Sequence, residues 1–508
     1  MNLEQAKAQY LNNDFKLKHK FLNDQYKNEL MDRVVRYASW TLPTIFPDDN
    51  ITNSDEMQND YQSVGAQAVT HLANKIMMAL FQPSRPFFRM QLTKKQRDEI
   101  IATGLTSAQI DMLLSEQERA AMREIDKMNA RTVMTDVIIH LIITGNSLFY
   151  SPKDKNVQCF SLRDYNVKRD LSGDYIEIIT RETKAVASLP DELANIAMTN
   201  GYYEKDEVSI YTGIVKVGAD RYMVWQELED ICYCHKQEGY YSKDDLEYIP
   251  LTWNLVRGKD YGTGLVENYS GDFHTLSTLA ESILDYTTLI TDVKNLVDPA
   301  GMTDVRELTQ SPSGAYVHGR EEDIFVHAPQ VSNVTDFLTR QFETVSRRIG
   351  AAFLLNTAVT RDAERVTAEE IRMQAHELEA SLGGVYSRLA SELQLPLAKR
   401  LLRKLRKEFK DIEPIIVTGL ESLSRNSELD QIRYFFQDLL ALAELPPEVA
   451  KRMDYGSLIA TLGAGHGVDY KKFLKDEKTV EKETQQAMQQ QAAMVGMEEQ
   501  AKAAGQQY

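Results

Sequence analysis

Residues Ile349 to Leu401 read IGAAFLLNTAVTRDAERVTAEEIRMQAHELEASLGGVYSRLASELQLPLAKRL. An apolar helix end runs into a polar loop that carries Arg361 and Arg365. A long helix follows, opened by Thr367 with Glu369 and Glu370 just behind it, where acidic side chains complement the unpaired N–H groups of a first turn. It is expected to reach about Phe409, weakened at Gly383-Gly384 and kinked or divided at Pro396, which removes a backbone hydrogen bond and crowds the preceding turn. Seven of the twelve residues from Lys399 to Lys410 are cationic, among them Arg400, Arg403, Lys404 and Lys407. They could contact DNA or a neighbouring subunit, or form a solvated face that complements the helix C-terminal dipole.

Before this stretch, two apolar stripes at helical spacing flank a compact insert. Phe273, Leu276, Leu279, Ala280, Ile283, Leu284, Tyr286, Leu289, Ile290 and Val293 make one; Val334, Phe337, Leu338, Phe342, Val345, Ile349 and Phe353 make the other. Each helix would be roughly 30 Å long at ~1.5 Å rise per residue. Asp298-Pro299-Ala300-Gly301 ends the first, and Thr303 to Ser332 reads as short strands and turns bearing Arg306, Arg320, Glu321, Glu322 and Asp323. Periodicity alone describes a helical hairpin with a decorated tip.

Farther out the character changes. From about 147 to 253 the chain alternates apolar and polar residues, as in Tyr175 to Thr180, Val208 to Thr212 and Tyr222 to Trp225, with turns at Ser172-Gly173-Asp174 and Gly218-Ala219-Asp220. That pattern predicts antiparallel hairpins, interrupted by a helical insert around Pro190 to Met198. Met1 to about Tyr37, Val64 to Phe81, Ser107 to Ala130 and Arg131 to Ile143 read as helices, the last capped by Gly145. Leu429 to Leu442 and Ala450 to Leu462 predict a small helical domain joined through Pro446-Pro447. Eight of the residues from Gln485 to Tyr508 are glutamine, a composition that buries little and predicts a frayed or flexible tail.

A chain of 508 residues, 43% hydrophobic and 26% charged, is long enough for several domains and ordinary for a globular protein. Its longest apolar run, Val137 to Ile143, is too short to cross a bilayer, so no membrane role is expected. Three cysteines, Cys159, Cys232 and Cys234, argue against a disulfide framework. Cys232, Cys234 and His235 have no second pair at ligand spacing, and an alternating strand accounts for them better than a metal. A net charge of −17 excludes a general nucleic-acid binder, since that affinity comes from neutralised phosphates. It is compatible with a conduit that DNA passes without sticking.

Catalytic chemistry is not legible. No glycine loop ends in Lys-Ser or Lys-Thr; Gly258-Lys-Asp-Tyr-Gly-Thr-Gly has the wrong order, and Gly463-Ala-Gly-His-Gly reads as a turn. No Gly-x-Ser-x-Gly elbow is present. No cofactor is implied. Carboxylates are numerous, so the alternative from a different class is a metal-dependent nuclease or other large helical enzyme.

Four segments in order resemble the portal, or head–tail connector, proteins of short-tailed podophages. They are Arg36 to Phe46 (RYASWTLPTIF) with Val64 to Phe81 (VGAQAVTHLANKIMMALF), Val297 to Gly301 (VDPAG), Leu354 to Arg372, and Leu382 to Leu397. The likeness runs from the N-terminal helices to about Leu462. It implies a helix-dominated α+β subunit, not an enzyme, with a wing (1–265, β-rich at about 147–253), a first stem helix (266–297), a clip (298–333), a second stem helix (334–353) and a tunnel loop (354–366). A long wing helix and linker (367–424), a crown (425–476) and the Gln-rich tail (477–508) complete it. Asn356, Thr357, Thr360, Arg361, Asp362 and Arg365 would border the DNA channel, although as a plain surface loop the arginines would pair with Asp362 and Glu364. Arg306, Arg320, Glu321, Glu322 and Asp323 would meet the terminase large subunit during packaging and tail adaptor proteins afterwards. The resemblance further implies a homododecamer assembled in the host cytoplasm and built into one capsid vertex. There it would touch major capsid, scaffolding and internal core proteins, with double-stranded DNA passing through it.

Overall fold

The computed structural model describes residues 16–47, 60–81, 86–102, 104–152, 156–229, 231–233, 239–291, 294–327, 332–355, 377–378, 380–382, 384–405, 415–418, 435–440, 457–459 and 461–462. The chain divides into two compact units, Met1–Ser422 and Leu423–Tyr508. The first is a helix-rich α+β body.

It opens with α1 (Leu17–Leu22) and α2 (Gln25–Ser39), then α3 (Val64–Leu80), β1 (Phe88–Gln91), α4 (Lys94–Ala102), α5 (Ser107–Lys127) and α6 (Ala130–Thr144). α6 is apolar nearly all round, with Met134, Val137, Ile138, Leu141 and Ile142 fully buried, which makes it a core helix packed on α3. It stops at Gly145, whose φ of +77° only glycine adopts without strain. A Cβ there would lie 2.3 Å from the Thr263 carbonyl carbon, so the cap is also a point of backbone crossing.

The predicted alternation appears as two antiparallel sheets. β2 (Asn146–Tyr150) lies between β3 (Gln158–Phe160) and β10 (Tyr248–Thr252). The larger sheet runs β4 (Tyr165–Arg169), β5 (Tyr175–Ala185), β6 (Glu207–Lys216), β7 (Arg221–Leu228), β8 (Ile231–Tyr233), with β9 (Gly239–Ser242) also on β7. α7 (Asp191–Thr199) bridges β5 and β6, where the helical insert was expected. Leu17 and Phe21 of α1 pack on Ile179, Tyr211, Met223 and Trp225 of this sheet. Leu17 fills the place a side chain at position 213 would need, 2.7 Å from a Cβ built on Gly213. The buried Glu227 carboxylate accepts the Leu17 N–H (2.9 Å) and Trp225 Nε1–H (3.1 Å), fixing the helix start.

α8 (Leu265–Asn268) leads into α9 (Ser270–Thr291), which packs antiparallel on α11 (Ser332–Ala352). The first long helix was expected to continue to 297. Instead Lys294–Val297 is β11, paired with β12 (Ile324–His327) in a ribbon that ties the two helices' far ends together. Val293, Leu296 and Val297 suit either state, and pairing with the β-branched and aromatic Ile324-Phe325-Val326 run decides for strand. Between the strands lies α10 (Val305–Gln310), a helix the turn-rich reading missed. Its signal was present: Asp304 as cap, with Glu307 in the first turn.

The helix expected over 367–409 is segmented where it is described. Gly384 adopts φ +86°, α12 (Val385–Leu389) follows, the chain widens into a π-turn over Ala390–Gln394, and α13 (Leu395–Leu405) contains Pro396. Proline has no N–H to return to the turn before it, which accounts for the widening. Tyr386 and Gln394 donate to the Ala79 and Leu80 carbonyls, closing the C-terminus of α3. β13 (Ile415–Thr418) pairs antiparallel with β1. In the second unit, residues 435–440 are helical, with Phe435 buried and its ring edge against Phe436.

Candidate functional site

The hairpin tip is fastened by one carboxylate. Asp323 is buried, and its Oδ2 accepts the N–H groups of Met302 (2.9 Å) and Thr303 (3.0 Å) and the Thr303 hydroxyl (2.8 Å). Its backbone carbonyl accepts the Asp298 N–H at 2.9 Å. The Thr303 hydroxyl first, then those two backbone N–H groups and the nearby Arg320, hold the Asp323 carboxyl below the usual carboxylate range. Gly301 is required beside it, since a Cβ there would stand 2.6 Å from the Asp323 Cγ. Of the five charged residues read as a contact tip, Asp323 is thus turned inward as the fastener. Arg306, Arg320, Glu321 and Glu322 are exposed.

At the other end of the hairpin, Phe353 is buried against Phe273 (ring centroids 5.6 Å apart), Leu354 takes φ +57°, and the Leu355 N–H returns to the Gly350 carbonyl at 2.7 Å. Asn356, Thr357, Thr360, Arg361, Asp362 and Arg365 lie outside the described residues. Both ends of their segment meet α3. His71 hydrogen-bonds the Leu354 backbone, and Lys75, one turn on, is 3.7 Å from Glu377. Burial first, then Lys75, lowers the His71 pKa, while the Leu354 bond opposes the shift. Nothing in the sequence marked His71 or Lys75, because their partners are about 280–300 residues away.

The cationic end of α13 faces partly inward. Lys399 pairs with Asp244 at 3.1 Å, and Arg400 donates to the Ser151 carbonyl at 3.2 Å. The Arg403 and Lys404 side chains and all of Lys407 lie outside the described residues. The glycine run at 258–264 is a clasp: Asn146 exchanges hydrogen bonds with Gly262 at 2.7 and 2.9 Å, and Gly264 abuts the Ile142 and Ile143 carbonyls. Cys159 sits on β3 beside the Ser147 hydroxyl (3.3 Å), its thiol pushed up to about 12 by burial. Cys234 and His235 are outside the described residues. Among the described residues no group of three or more His, Cys, Asp or Glu could hold a metal ion, and no helix is long and apolar enough to cross a membrane.

The described residues give the hairpin little core of its own. Between Leu276 and Val345, no apolar side chain among the described residues is buried. Leu284, Leu296, Phe325 and Phe337 are each more than half exposed, and Tyr316 at the tip is wholly so. Such a surface marks contact with another molecule.

Comparison with known proteins agrees with that architecture. Residues 20–474 match the family model described as bacteriophage head to tail connecting protein. The portal protein of Enterobacteria phage SP6 is 34% identical over 92% of this chain and 92% of its own. That of Escherichia phage T7 is 32% identical over 92% and 88%, and that of Pseudomonas phage phiKMV 32% over 91% and 92%. These descriptions name a structural part of a virus particle. A match along nearly the whole of both partners means that this chain belongs to the bacteriophage head-to-tail connecting proteins, the portal proteins of podophages, and is a structural protein rather than an enzyme.

Proposed function

We propose that the chain forms a closed ring of twelve copies at one capsid vertex, through which a terminase packages the genome and DNA leaves on infection, and to which the tail attaches. The observation that carries this is the coreless hairpin. Burying one Leu or Phe side chain is worth about 1.5–3 kcal/mol, and α9, α11 and the ribbon leave several of them in water. A helix pair whose outer length buries no apolar side chain among the described residues gains its order from neighbours, and identical neighbours round an axis supply the same contact at every position.

Within that ring, α9 and α11 serve as the stem helices and 298–333 as the clip. Residues 354–366 serve as the tunnel loop, residues up to 265 and 367–424 as the wing, and 425–476 as the crown. Arg306, Arg320, Glu321 and Glu322 offer a polar surface suited to terminase and then a tail adaptor in turn, because exchangeable contacts are better made by a charged rim than by an apolar patch. Asn356, Thr357, Thr360, Arg361, Asp362 and Arg365 border the channel, and Arg403, Lys404 and Lys407 contact DNA or the next subunit. Capsid, scaffolding and internal core proteins contact the ring from the head side, and assembly takes place in the host cytoplasm.

Native mass of the purified chain tests the reading. Twelve copies give 12 × 57.9 kDa, about 695 kDa. A monomer or dimer at every salt concentration overturns it, and metal-dependent DNA cleavage by that species would favour the nuclease instead.

A further inference from the structure

The hairpin carries its own register for the next subunit. The ribbon pairs Lys294 with His327 and Val297 with Ile324. Near the root, Asp272 lies 3.5 Å from Arg348. Both ends give the same alignment within one residue, and two antiparallel helices of equal rise preserve it between them. Continued along α9 and α11, that alignment sets Leu284 level with Phe337.

These two residues point away from each other. On α9 the side facing α11 carries Leu276, Leu279 and Ile283, and Leu284 comes one residue after that stripe. On α11 the corresponding side carries Leu338, Phe342, Val345 and Ile349, and Phe337 comes one residue before it. One residue is about 100° of turn. Seen from one end, a step forward on α9 and a step back on α11 both turn the same way, from starting directions that face each other. Leu284 therefore ends on one broad face of the hairpin and Phe337 on the opposite face. Both are out in water, 54% and 60% exposed.

The narrow flanks differ. Glu281 and Asp285 lie on the outer flank of α9, and Arg340 and Arg347 on that of α11, all exposed. A contact through the flanks would strip water from four charges, whereas a contact through the broad faces buries apolar surface and leaves the charges solvated. Rotation about a ring axis running along the hairpin moves every residue at constant height and brings one broad face onto the opposite face of the next copy.

We infer that Leu284 of each copy packs against Phe337 of the next, a head-to-tail contact that leaves the Glu281–Asp285 and Arg340–Arg347 flanks on the two walls of the ring. This rests on the ring proposed above and names the contact within it. A chain carrying both Leu284→Cys and Phe337→Cys, assembled and treated with a short bis-maleimide, is expected to give a ladder from dimer upward on a denaturing gel. The wild type with its native cysteines should give none. Neither single variant should cross-link alone, and an equal mixture of the two singles, co-assembled, should yield dimers and nothing larger. Cross-linked dimers from Leu284→Cys alone would mean a two-fold contact and overturn the inference. A ring-sized native mass without the ladder would overturn this contact while leaving the ring standing. No ring at any salt concentration would remove both. Should the double variant fail to assemble, the mixed singles decide, since only half of all the contact residues in such a ring are altered.

Discussion

A lysine ammonium set among Phe21, Asn166 and the Arg163 carbonyl gives up most of its water. Lys27 does this on α2: its Nζ donates to Asn166 Oδ1 at 2.6 Å and to the Arg163 carbonyl at 3.1 Å, and sits 3.9 Å from the Phe21 ring centre. Burial, with Arg181 adding repulsion, lowers its pKa to about 7. The native state then sheds a proton that the unfolded chain keeps up to 10.5, so stability rises with pH across that interval, by at most about 1.4 kcal/mol per pH unit. Denaturant titrations at pH 7 and pH 10 should show this gain in the wild type and lose it in Lys27→Met; equal slopes in both would refute it. Gly145→Ala forces a side chain into a left-handed cap that touches Thr263, and chemical denaturation should show a loss on the order of 1–3 kcal/mol. Gly145 was legible in the sequence because a cap is local chemistry. Lys27, Asp323 and His71 were not, because each takes its meaning from a residue that only the fold brings near.

Among the elements, those with clean periodicity could be read in advance. β5 to β7 alternate over long runs between turn signals, and α3 and α11 keep one apolar side. The misreadings fall where two periods compete. Lys294–Val297 is short and apolar enough for either state, and its partner strand lies 27 to 33 residues on. Pro396 predicts a kink or break in the helix after Gly384, but not its form, because a π-turn leaves no mark in hydrophobic spacing. That turn carries Gln394, whose Nε2 donates to the Leu80 carbonyl at 2.6 Å from a site that is 1% exposed. Gln394→Ala strips the end of α3 of that donor. It should cost about 1–3 kcal/mol, read as a lowered melting midpoint, while Gln394→Glu should do no better because it has no N–H to donate. A midpoint unchanged in Gln394→Ala would mean that α3 is closed by Tyr386 alone.

For the whole molecule, charge is the property visible from composition alone, and its consequence scales with copy number. A ring of twelve would carry 12 × −17 = −204 charges, held together by apolar contact against that repulsion. Ring formation should therefore increase between about 0.05 and 0.5 M salt as screening shortens the reach of the charges. Sedimentation profiles identical across that range would contradict it. What composition could not disclose was where the apolar contact lies, since 43% hydrophobic residues are ordinary until one sees which of them stay in water.

The coreless hairpin makes concentration a folding variable. The body buries most of α6 and packs α1 on the larger sheet, so it has a core within one chain. Between Leu276 and Val345 the arm has no buried apolar side chain of its own among the described residues, so in the proposed ring its order would depend on protein concentration. A dilute copy would then be a body with a loosely ordered arm, which the proposed ring would fix in place. Brief proteolysis should cut that arm first in the unassembled chain and spare it in the assembled one; equal cutting in both states would mean that the hairpin stands by itself.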